Sequence, residues 1–99
     1  MNSLQSDKLV KSLGQLVRQY RTAEESQEVF AQRLGISRKT LSALEDGKGG
    51  KLATLCEALV ILELDGPFAD LAADLIDDIS GTKLRQRKSK KQELLDNDF

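Results

Sequence analysis

The sequence predicts an all-α protein, and three observations carry that expectation. Aromatic residues are scarce, with three Phe, one Tyr and no Trp. A core made mainly of Leu, Ile, Val and Ala suits packed helices better than a β-sandwich, which favours aromatic and β-branched residues. Alternating apolar runs are lacking, and the chain contains one Pro. At 99 residues and 39% apolar content, the length allows one modest core.

Five helices are expected. The first covers roughly 4–21, with Leu9, Leu13, Leu16, Val17 and Tyr20 on one face at helical spacing. Gly14 falls inside it, at a cost of about 1 kcal/mol against Ala. The polar stretch 22–25 ends this helix. Ser26 is a natural N-cap for a short second helix, Gln27 to Leu34, with Phe30, Ala31 and Leu34 inward. Gly35 supplies the residue that takes a left-handed backbone at a helix end. Ser37 caps a third helix running from Arg38 to about Asp46, with Leu41 and Leu44 inward, and Gly47 stops it.

After a flexible Gly47-Lys48-Gly49-Gly50 loop, a fourth helix is expected over about 52–62, with Leu52, Leu55, Leu59 and Leu62 as its stripe. Gly66-Pro67 opens the fifth, because Pro suits the first helical turn. Phe68, Leu71, Ala72, Leu75, Ile76 and Ile79 make a broad apolar face there, and Gly81 ends it. Residues 1–81 are thus expected to form one domain. Residues 82–99 lack periodicity and are expected to be a flexible tail, basic and then acidic, disordered in isolation.

The formal net charge of −1 conceals strong segregation. Residues 1–52 hold nine Lys/Arg against six Asp/Glu, whereas 53–81 hold seven acids and no base. Residues 82–92 carry six bases and no acid, and 93–99 three acids and no base. A polyanion responds to the local field, so the weakly acidic total does not exclude nucleic acid.

Cys56 is the only cysteine and the chain has no His, which excludes an internal disulfide and a zinc finger. Cys56 itself is expected to be a small buried apolar residue. No stretch approaches the ~20 apolar residues of a membrane span, and the N-terminus has no signal-peptide pattern. A soluble cytoplasmic protein is expected, with no membrane association and no cofactor. The absence of His, of a Gly-rich phosphate cradle and of paired carboxylates with a matching base argues against an enzyme.

The informative segment runs from Ser26 to Lys48. Two short capped helices are joined by a turn pivoting on Gly35. Ala31 is small where they must cross, Ile36 plugs the turn, and Leu41 and Leu44 bury the inner face of the third helix. That arrangement leaves its outer face free to enter a DNA major groove. Arg38, Lys39, Ser42 and Ala43 lie on it. Arg or Lys donates to guanine O6 and N7, Ser serves several base edges, and Ala meets a thymine methyl. Arg38, Lys39 and Ser42 cluster in the first turn and a half of the helix, the part that reaches bases, and Ser37 at its cap is a further candidate DNA contact. Gln27 at the start of the second helix, with Lys48 and Lys51 in the following loop, is placed for phosphates. Singly, each of these residues reads first as a solvated surface side chain. The capped pair, the glycine turn and the basic outer face favour DNA together.

Residues about 13–65 resemble the lambda-repressor and Cro-like (XRE-type) DNA-binding domain. The resemblance lies in Leu-x-x-Leu-Val-Arg, Ser-Gln-x-x-Phe-Ala-x-x-Leu-Gly-Ile-Ser, Thr-Leu-Ser-x-Leu-Glu-x-Gly-Lys and Leu-x-Thr-Leu-x-x-Ala-Leu. It implies a five-helix bundle binding as a homodimer to a pseudo-palindromic operator, with the fifth helix in the dimer seam. By position, Gln27 matches the family's polar residue at the start of its second helix. Arg38, Lys39 and Ser42 match its base-reading positions, and Lys48 its phosphate contact. Two departures stand out. Gly50-Lys51 replaces the usual Pro and Ser or Thr before the fourth helix, weakening that cap. Ala23-Glu24-Glu25 replaces a turn that often contains Gly.

Asp70, Asp74 and Asp77 lie on one face of the fifth helix, as a solvated surface or a partner surface. The tail over 83–91 admits phosphate contacts, a partner protein, or solubilising disorder. Small XRE-type proteins with extra C-terminal segments often serve as antitoxins, and the layout loosely resembles the HipB-like kind that accompany HipA-type kinase toxins. The expected function is a dimeric, sequence-specific transcriptional repressor of double-stranded DNA, with the autoregulating antitoxin of a toxin–antitoxin pair as its sharper form. The alternative is a protein-interaction module that binds and inhibits a partner with little or no DNA binding.

Overall fold

The computed structural model describes residues 3–80, and every regular element among them is an α-helix. In order these are α1 (Leu4–Thr22), α2 (Gln27–Leu34), α3 (Arg38–Glu45), α4 (Leu52–Ile61) and α5 (Asp65–Ile79). The fold is therefore all-α with five helices, as the sequence predicts. The expected tail over 82–99 lies outside the described residues. The chain divides into two compact units between Asp65 and Gly66, the first holding α1 to α4.

The helix starts are set by local chemistry. Ser3, Ser26 and Ser37 each accept a backbone N–H three residues on, from Ser6 at 3.0 Å, Val29 at 3.2 Å and Thr40 at 3.0 Å. The start of α4 differs, since Lys51 occupies its N-cap and offers no side-chain acceptor. α2 ends in a Schellman motif. The Ile36 N–H bonds Ala31 O at 3.0 Å, that of Gly35 bonds Gln32 O at 3.1 Å, and Gly35 has φ 72°. The end of α4 repeats this pattern with Glu63 in the left-handed position at φ 62°, its neighbour Leu64 bonding Leu59 O at 2.8 Å.

α3 packs on both α1 and α2, and α4 closes the unit against α2. The core is Val17, Phe30, Ala31, Leu41, Leu44, Ala58 and Leu59, with Leu16, Leu34, Ile36 and Leu55 among the half-buried residues packed on it. The inward apolar residues of α2 and α3 are those expected.

The seam of α1 is the expected one only in part: Val17 is in the core, Leu16 packs on it and Leu13 is half-buried. Leu9 and Tyr20 are 60% and 48% exposed, and the buried line runs through Gly14, Val17 and Arg21. Gly14 is the cause. A Cβ there would meet the carbonyl oxygens of Leu44 and Glu45, so α1 turns its glycine toward the end of α3, which leaves Leu9 and Tyr20 outward. On α4, Leu52 is 75% exposed, at the mouth of an apolar depression shared with Val10, Leu13, Leu44 and Leu55. Cys56, expected to be buried, is exposed, because the inward face of α4 is set by Leu55, Ala58 and Leu59.

In the second unit α5 continues through Gly66 and Pro67 in its first turn. Its apolar residues Phe68, Leu71, Leu75 and Ile76 are exposed, as are Asp70, Asp74 and Asp77. Among the described residues no helix is long and apolar enough to cross a membrane.

Candidate nucleic-acid interface

The candidate site is built on the outer side of the α2–α3 pair. The turn between these helices is short because Gly35 reverses the chain at once and Ser37 restarts it. The Ser37 hydroxyl also lies 2.9 Å from that of Thr40, which ties the first turn of α3 together. Burial of Leu41 and Leu44 then fixes the rotation of the helix and turns Arg38 and Lys39 to solvent.

Gln27, Arg38, Lys39 and Ser42 line one shallow depression of about 440 Å3. Four of the sequence-predicted residues are thus brought together, contributed by two helices. Ser37 and Lys51 line a second depression of about 450 Å3 with Thr40, Thr54 and Gly50, at the uncapped start of α4. Lys48 lines neither. It is exposed in the loop after α3, its N–H bonded to Ala43 O at 2.9 Å.

This outer surface is supplied with donors. Arg38 and Lys39 provide cationic N–H groups, Ser42 a hydroxyl, and the start of α4, which has no side-chain cap, brings Lys51 beside Thr54. Such a set suits base edges in a major groove flanked by phosphates. A model of the helix-turn-helix domain family matches residues 12–72, more than half of the chain. The chain belongs to the helix-turn-helix domain family. No curated protein and no solved structure matches the chain. Membership points to a DNA-binding regulator, and α3 is the second helix of the motif.

Sequence reasoning missed the polar group beneath the motif. Glu45 has a fully buried side chain that receives Arg21 Nε at 2.6 Å and Arg21 Nη2 at 3.0 Å. Arg21 also donates from Nη1 to Glu25 O at 2.9 Å, so the guanidinium clamps the α1–α2 turn to the end of α3. Half-exposed Arg18 lies 3.9 Å from Glu45 and 3.6 Å from Asp46. The signal was present in the spacing. Arg21 follows Val17 by four residues and Glu45 follows Leu41 by four, which places opposite charges on two inward stripes.

Proposed function

We propose that this helix-turn-helix protein is a sequence-specific, XRE-type transcriptional repressor that binds a pseudo-palindromic operator as a dimer. The observation that carries the reading is the shared depression of Gln27, Arg38, Lys39 and Ser42. A base-reading surface needs several donors at one place on a helix that can enter the groove, and these residues meet that need. Ser37, Lys48 and Lys51 flank it as phosphate contacts. The exposed apolar stripe of α5 supports a homodimer through that helix, since a second copy would cover it.

Autoregulation beside a toxin, a HipA-like kinase, is the sharper form of this proposal. Its support is the layout of a small DNA-binding unit followed by a basic tail. Neither a catalytic role nor a cofactor belongs to the reading, and its place of action is the cytoplasm.

A mobility-shift titration with genomic fragments at several salt concentrations is the test. Specific binding is expected at one fragment or a few, with Arg38→Ala and Lys39→Ala each erasing preference at a base position. Uniform weak binding across all fragments, unchanged by either substitution, would leave a protein-interaction module in its place. Deleting residues 82–99 assigns the tail. A salt slope shallower by about 0.9 for each phosphate no longer neutralised places it on the DNA backbone, and loss of a co-purifying kinase-like partner places it on a toxin.

A further inference from the structure

A carboxylate accepts hydrogen bonds and donates none. The fully buried Glu45 takes Arg21 on both oxygens, and its Oε1 also receives Gln27 Nε2 at 3.0 Å. Turning the Gln27 amide over would set its own oxygen against that carboxylate and forfeit a charge-assisted bond. Gln27 Oε1 is therefore held outward, and there Arg38 Nε donates to it at 3.4 Å. A polar relay runs from the core to the outer surface: Arg21, Glu45, Gln27, Arg38.

With Nε engaged, Arg38 is left with the pair of N–H groups at its terminal edge, the geometry that meets guanine O6 and N7 together. We infer that Glu45 is a positioning residue for base recognition, fixing the Gln27 amide so that its carbonyl holds Arg38 ready for guanine. Gln27 thereby gains a role besides phosphate contact. The inference rests on the DNA-binding reading above and specifies how one base position within it is read.

The test is selection from a randomised duplex pool with the full chain and its variants. Gln27→Met keeps the length of the side chain and removes both bonds. It is expected to weaken the preferred duplex about tenfold and to flatten the position that Arg38→Ala flattens, while positions read by Lys39 and Ser42 persist. In the Arg38→Ala background the same change should add little. Glu45→Gln, scored on protein shown by circular dichroism to be folded, should flatten the same position, because two amides no longer dictate which end of Gln27 faces out. A purely structural Glu45 would lower binding to all duplexes alike and leave base preference intact. An enriched wild-type motif that Gln27→Met leaves unchanged, or weakens equally at every position, overturns this assignment alone. A wild-type pool with no enriched sequence removes the parent reading as well.

Discussion

At Gly14 a Cβ would lie 2.3 Å from the Leu44 carbonyl oxygen and 2.9 Å from that of Glu45, both backbone atoms that cannot swing aside. What looks in the sequence like a helix weakened by glycine is a helix crossing that only glycine permits. Gly14→Ala is expected to lower the unfolding free energy by about 3 kcal/mol, overpacking outweighing the gain in helix propensity. Chemical denaturation measures it, and stability equal to wild type would mean the two helices do not approach so closely. The opposite case is Glu63, a non-glycine residue at φ 62° in a Schellman position. Glu63→Gly should raise stability by about 1 kcal/mol by relieving left-handed backbone strain. A decrease on urea unfolding would show that the Glu63 side chain contributes more than its backbone costs.

At the scale of the element, α3 opens against its own dipole. Its first turn holds Arg38 and Lys39 and no acid, although the N-terminus of a helix favours negative charge. A helix selected for stability alone would not be built so, and under the proposed reading a DNA phosphate would supply the missing negative charge. Lys39→Glu should therefore stabilise the free protein by about 0.5 kcal/mol at low salt while sharply weakening DNA binding. Paired melting and mobility-shift measurements check it; if both quantities fell together, Lys39 would be serving the fold. Much of this element was legible because caps and turns act within four residues. Ser26, Gly35, Ser37 and Gly47 mark the bounds of α2 and α3 in the sequence and again in the structure.

For the molecule as a whole, charge divides along the chain. The acid-only stretch over 53–81 covers α4 and α5, whereas the cations of the described residues lie on α1 to α3 and the loop up to Lys51. A polyanion responds to such local fields rather than to the net charge of the chain. On α5 the exposed Phe68, Leu71, Leu75 and Ile76 form the stripe assigned to the dimer. Leu75→Asp is expected to give a monomer by sedimentation equilibrium and to reduce operator affinity at least tenfold, because each half-site would then bind alone. A dimer of unchanged strength would move the seam away from α5.

The sequence by itself determined the helical class and the five elements, because periodicity, serine caps and glycine stops are local signals. The tertiary structure alone decided that α1 buries Gly14 and leaves Leu9 and Tyr20 exposed, since that depends on how closely a glycine lets two helices approach. It also decided that Cys56 and Leu52 are exposed, and it joined Arg21, Glu45, Gln27 and Arg38 into one relay. These four residues are spread over three helices. Spacing alone puts Arg21 and Glu45 on inward stripes, but their link to Gln27 and Arg38 exists only once the chain brings an acceptor-only carboxylate into the core, where it must be satisfied.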